Sequence, residues 1–112
     1  MLRSDEILLE HIFDAASRAV AKVDQKTRDE FYEDDTLHLA ITHLIQIVGE
    51  ASSKISTEFQ QLHAALPWRE MIGMRHKIVH DYFEVNLRVV WDVATEDLPV
   101  LIKQLELIVP QE

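Results

Sequence analysis

Apolar positions recur along this chain at helical spacing nearly from end to end. Leu8, Ile12, Ala15, Ala19 and Val23 form one stripe, which predicts a first helix over about residues 4–24. Ser4 is placed to cap it, and Asp5 and Glu6 follow in a first turn where negative charge suits the positive end of the helix dipole. The charged stretch DQKTRDEFYEDD then predicts a turn with a brief helix. Leu37, Ile41, Leu44, Ile45 and Val48 describe a strongly apolar helix running to about Lys54. Ser56 is placed to cap a short helix carrying Phe59 and Leu62.

The stretch LPWREMIGMRHKIVH predicts another helix, with Pro67 in its first turn, where a missing N–H costs no hydrogen bond. Asn86 suits the cap of a last helix, whose stripe runs through Leu87, Val90, Trp91, Ala94, Leu98, Leu101, Leu105 and Ile108. Pro99 falls inside that stripe and should kink it, because it removes one hydrogen bond and crowds the preceding turn. Four principal helices with short connections predict an all-α, up-and-down bundle with short extra helices. The helix holding Ile41 and Ile45 is apolar around much of its circumference, which fits one face packed internally and another against a second copy of the chain.

Composition narrows the picture. A chain of 112 residues is long enough to bury its own core, so residues 1–112 are expected to form one domain. Only 2 Gly and 3 Pro are present, which favours helices over a turn-rich sandwich or barrel. Without cysteine there is no disulfide framework, thiolate nucleophile or cysteine-based zinc site. The start, MLRSDEILLE, brings in acids at once and has no apolar core of a leader. The longest run free of Asp, Glu, Lys and Arg, Thr36 to Gly49, is shorter than the roughly 20 residues a spanning helix needs. Together these features point to a cytoplasmic protein without a membrane partner.

The formal charge of −9 argues against a broad nucleic-acid-binding surface, since such affinity comes from neutralising phosphates with Lys and Arg. The charge is unevenly spread. Between Arg69 and Arg88, four bases (Arg69, Arg75, Lys77, Arg88) face three acids (Glu70, Asp81, Glu84), a local sum of +1 that leaves −10 on the remainder. An anion is therefore expected near that stretch, while the acidic remainder suits solubility or a basic protein partner.

Several kinds of chemistry are excluded or disfavoured. Gly49 and Gly73 are the only glycines, so neither a P-loop nor a dinucleotide fingerprint can be assembled. No serine sits in a Gly-flanked elbow. His76 and His80 have the i, i+4 spacing of two metal ligands, with Asp81 beside them, but Lys77 stands where a zinc protease has its glutamate and no third ligand follows. No metal and no cofactor is expected. His11, His38, His43 and His63 are expected to be structural or surface residues without local partners, and Trp68 and Trp91 core or interface anchors.

Arg75, His80 and Tyr82 remain. On one straight helix Arg75 and Tyr82 would share a face while His80 pointed away. Either the helix ends near His80 and the chain turns, or a second subunit completes the site. The structural alternative is that Arg75 and His80 only complement the dipole at a helix C-terminus. The functional one makes Arg75 a bidentate phosphate clamp. His80 would then be a general acid or base near neutral pH, and Tyr82 a hydroxyl donor.

RHKIVHDY is an R-x4-H-x-Y pattern and resembles the signature of the HEPN superfamily (higher eukaryotes and prokaryotes nucleotide-binding domains). The wider chain is similar to one branch, the HepT-like toxins, through IVGEAS (Ile47 to Ser52), LPWREMIGMRHKIVHDYFEVN (Leu66 to Asn86) and VWDVATEDLPVL (Val90 to Leu101). The resemblance implies a homodimeric α bundle in which two motifs meet at a composite site. It implies a metal-independent endoribonuclease acting on RNA, tRNA or mRNA. In it His80 assists the 2′-hydroxyl attack, Arg75 stabilises transition-state charge, and His76 and Tyr82 support them. It further implies a toxin–antitoxin pair of the type VII kind, in which a minimal nucleotidyltransferase antitoxin transfers AMP to Tyr82. The chain departs from the family at His76, where Asn is common. The alternative is a non-catalytic HEPN module that binds a nucleotide or partners a nucleotidyltransferase.

Overall fold

The structure is a computed structural model that describes residues 3–79 and 85–109. The helices are α1 (Arg3–Val23), α2 (Arg28–Glu33), α3 (Asp35–Lys54), α4 (Thr57–Leu62), α5 (Trp68–Ile72), α6 (Met74–Ile78) and α7 (Leu87–Asp92). A π-helical turn, Val93–Asp97, follows α7 and leads into α8 (Leu98–Leu105). The only extended pairing among the described residues is an isolated antiparallel bridge between Val79 and Val85. The four principal segments of the expected bundle are thus α1, α3, the tandem α5–α6, and the run from α7 to α8. No described helix is long and apolar enough to cross a membrane.

The predicted stripes fall on the buried sides of their helices, although at the start of α1 the fully buried residue is Leu9 and the predicted Leu8 is half-buried beside it. Leu9, Ile12, Ala16 and Ala19 of α1, Ile41, Ile45 and Val48 of α3, and Val90, Val93, Ala94, Leu98 and Leu105 of the last run are fully buried. The centre of the arrangement is α3, which packs against α1, α2, α5, α6 and α7. This explains its wide apolar circumference within a single chain: Ile41, Leu44, Ile45 and Val48 all point into the core. Phe31, from the short α2, enters the same core and stacks obliquely on Trp91 at 5.3 Å between ring centroids.

Capping settles where these helices start. The Thr27 hydroxyl accepts from the Glu30 amide at 3.1 Å, and the Glu30 carboxylate accepts from the Thr27 amide at 2.9 Å, a complete capping box for α2. That pairing holds the Glu30 carboxyl below its ordinary pKa. Asp34 caps α3, Ser56 caps α4 and Asn86 caps α7, the last two as the sequence suggests. At the N-terminus the expectation fails, because α1 already begins at Arg3 and Ser4 lies inside it. The residue that matters there is Asp5. It is buried, and its carboxylate accepts from the Ser56 amide at 2.9 Å and the Ser56 hydroxyl at 2.7 Å. One carboxylate thereby ties the first turn of α1 to the start of α4, 51 positions away.

Pro99 does not simply kink its helix. A proline cannot donate to the carbonyl four residues earlier and its ring crowds that carbonyl, here Thr95. The chain meets this with the wider Val93–Asp97 turn, so that Pro99 sits in the first turn of α8.

Two stability tests follow. Asp5→Ala takes away the acceptor of the half-buried Ser56 amide and hydroxyl and should cost about 1–3 kcal/mol, lowering the melting temperature by roughly 10 °C; an unchanged melt would show that the tie does not form. A Cβ added at Gly49 would sit 3.3 Å from the Arg75 backbone nitrogen. Gly49→Ala should therefore stay within about 1 kcal/mol of wild type, helix propensity offsetting the tight approach. Gly49→Val, which adds branches at the same spot, should lose about 1–3 kcal/mol in urea unfolding.

Candidate active site

The segment that was expected to be one helix is two. α5 stops at Ile72, and Gly73 turns the chain with its amide reaching back to the carbonyls of Arg69 and Met71. Pro67 is the N-cap of α5 rather than a residue of its first turn. Its neighbour Trp68 is anchored in the core, with its indole N–H donating to the His63 carbonyl at 2.9 Å. α6 then presents two faces. Met74 and Ile78, one turn apart, are buried, whereas Arg75, His76 and Lys77 are exposed.

α6 ends at Ile78, and Val79 is extended, so the straight-helix geometry of the sequence reading does not apply. The Asn86 amide donates to the Ile78 carbonyl at 2.8 Å, and Val79 bridges to Val85. The described residues on either side of positions 80–84, Val79 and Val85, are thus paired at the end of α6. His80 and Tyr82 belong to that stretch and lie outside the described residues, as does Asp81. The structure accordingly places Arg75 and His76 on the exposed face of α6 and leaves their relation to His80 and Tyr82 open.

The exposed bases differ in what surrounds them. Among the described residues, the Arg75 guanidinium makes no hydrogen bond or ion pair and is open to solvent, the condition an anion clamp requires. Lys77 is engaged, its Nζ 2.9 Å from Oδ2 of Asp97. One of the four positive charges counted in the sequence is thus paired at home.

The remaining histidines divide into two kinds. His11 and His43 are exposed and flank a groove of about 350 Å³ between α1 and α3, with Leu8, Ile47 and Lys54. His38 does have a local partner, contrary to expectation: its Nε2 lies 3.1 Å from Oδ1 of Asp35. His63 stacks on Phe59 at 4.5 Å. No three His, Asp or Glu side chains gather as potential metal ligands among the described residues. Two residues near the site escaped the sequence reading. Asp97 lies twenty positions from Lys77 and bears no spacing signal, and the role of Gly49 depends on which helix crosses it.

A family model described as ribonuclease HepT-like matches residues 8–108. A protein of Thermococcus cleftensis named probable ribonuclease HepT is 38% identical over 105 residues, covering 90% of this chain and 92% of its own. A provisionally named RNase of Caldanaerobacter subterraneus subsp. tengcongensis is 35% identical over 104 residues, 93% of each chain. A Methanocaldococcus jannaschii protein, named as a gamma-glutamylcyclotransferase and provisional RNase, is 32% identical over 101 residues; the match covers 90% of this chain and 46% of that protein. No solved structure is matched. The helical bundle, the motif helix with its exposed arginine and the match across nearly the whole chain agree: this protein belongs to the HepT-like ribonuclease family of the HEPN superfamily.

Proposed function

We propose that the protein is a metal-independent endoribonuclease whose working unit is a homodimer with Arg75 and His80 from both subunits at a shared site. The observation that carries this reading is Arg75 itself: a solvent-open guanidinium without a partner among the described residues, on a helix whose other face is locked in the core. A guanidinium left unpaired on a rigid support is preorganised for a planar, bidentate anion such as a phosphodiester.

In the reaction His80 accepts the proton of the RNA 2′-hydroxyl. The 2′-oxygen then forms a bond to the adjacent phosphorus and the bond to the 5′-oxygen breaks. The products are a 2′,3′-cyclic phosphate and a 5′-hydroxyl, whose oxygen takes up a proton from the protonated histidine or water. Arg75 bonds to the non-bridging oxygens as charge accumulates on them. His76 donates at the edge of the site in place of the Asn common in relatives. Because the nucleophile is the 2′-hydroxyl, DNA is not cleaved.

The same reading makes the protein a cytoplasmic toxin neutralised by a minimal nucleotidyltransferase. The Tyr82 hydroxyl oxygen attacks the α-phosphorus of ATP, forming a tyrosine–AMP ester and releasing pyrophosphate. The added bulk and negative charge then repel RNA from Arg75. A second reading, a HEPN module that holds a nucleotide or presents itself to the nucleotidyltransferase without cutting RNA, is favoured by the modest charge of the site. There Lys77 is consumed by Asp97.

Purified tRNA and total RNA incubated in EDTA separate the two. On the nuclease reading wild type cleaves, and Arg75→Ala and His80→Ala each lower the rate about 10²-fold or more at unchanged helicity and oligomeric state. Folded wild type that leaves both RNAs intact would sink the nuclease and leave the binding module. Incubation with the nucleotidyltransferase and ATP should add the mass of one AMP to wild type and none to Tyr82→Phe.

A further inference from the structure

We infer that Asp97 is a positioning residue for the reaction, acting through Lys77 to fix the orientation of α6; this rests on the nuclease reading above. α6 spans five residues, too few to be stable by itself, so its orientation is set by what holds it. Met74 and Ile78 anchor the inner face. On the outer side, the contact that reaches another element is Lys77 Nζ to Asp97 Oδ2 at 2.9 Å. The three other ion pairs among the described residues each join positions three or four apart on one helix, whereas this one spans twenty positions.

Asp97 is a fixed point. It closes the π-helical turn imposed ahead of Pro99, and its neighbours Val93, Ala94 and Leu98 are fully buried. Lys77 lies about 200° around the helix from Arg75, so tethering one side turns the other toward solvent. The residue after Lys77, Ile78, receives the Asn86 amide, and Val79 then bridges to Val85. The tether therefore also sets where the stretch bearing His80 and Tyr82 leaves and rejoins the fold.

Two simpler roles fit less well. With side chains 55% and 42% exposed, the pair adds little to the stability of the fold. A direct role in holding RNA is opposed by sign, since a carboxylate near the site repels phosphate. Removing it should, on electrostatics alone, tighten RNA binding and leave cleavage no slower. Positioning predicts instead that cleavage slows although binding does not weaken.

The test compares wild type with Asp97→Asn, Lys77→Met and the exchanged pair Lys77→Asp with Asp97→Lys. Readouts are single-turnover tRNA cleavage in EDTA, the half-saturating tRNA concentration, melting temperature, and amide hydrogen exchange at Ile78 and Asn86. Asp97→Asn should slow cleavage about tenfold at an equal or lower half-saturating concentration and a nearly unchanged melt. Exchange at both amides should quicken. The exchanged pair should return within about threefold of wild type, with exchange slowed again. Full-rate cleavage by Asp97→Asn, or no recovery in a folded exchanged pair, overturns the proposal. Should wild type itself fail to cleave, the nuclease reading falls by that result. Hydrogen exchange then decides the tether: quickened by Asp97→Asn and restored by the exchange, it stands; unchanged, it fails.

Discussion

Everything near the motif depends on how closely α3 approaches the start of α6. At Gly49 a single added carbon would come within 3.3 Å of the Arg75 nitrogen and 3.5 Å of the Met71 carbonyl oxygen. With hydrogen at that position, the backbone of the central helix can lie against the backbone of the junction between α5 and α6. The junction has little regular structure of its own: two helices of five residues each, meeting at Gly73. Helices this short exist because neighbours hold them. The central helix supplies the floor, and Met71, Met74 and Ile78 fill the space beside it. The exposed arginine is thus mounted on a short helix whose inner face, Met74 and Ile78, is buried against the central helix, a firmer base than a loop would give.

Local signals in the sequence carried most of the fold. Apolar spacing found α1, α3 and the last helical run because each buries a continuous stripe, and Ser56 and Asn86 cap the helices after them as their chemistry suggests. The misses share a cause. Ser4 resembles a cap, but Asp5 engages Ser56 51 residues away, and no local pattern encodes that contact. Gly73 divides the motif segment because the chain must turn between two buried anchors, Met71 and Met74, while the apolar spacing runs across it unbroken. Pro99 announced a disturbance but not its form, since a kink and a widened turn both relieve the same clash. Of the motif residues, Arg75 and His76 lie on the solvent side of α6, as their polar character suggests. The Lys77–Asp97 pair was not legible in the sequence, because pairing across the bundle depends on how two helices are laid side by side.

The acidity of the chain looks at odds with the proposed phosphate site, and the distance between the two bears on that proposal. The densest acidic cluster, Glu30, Glu33, Asp34 and Asp35, surrounds the junction of α2 and α3. Gly49, which lies against Arg75, is fourteen residues along α3 from Asp35. At 1.5 Å per residue that separation is about 21 Å, more than two Debye lengths of about 8 Å at physiological salt. The cluster's field at the arginine is largely screened, so the local balance of charge decides what Arg75 attracts. That balance is thin, because Asp97 neutralises Lys77. A polyanion is longer than a Debye length, however, and any strand reaching Arg75 is repelled wherever it continues toward α2. On the proposed reading, the same rod that separates the two charges sets a direction: a phosphate chain held at Arg75 would run away from the acidic end of α3. A short, locally gripped substrate, or one whose backbone bends away from the bundle, meets that constraint more readily than an extended strand laid along it.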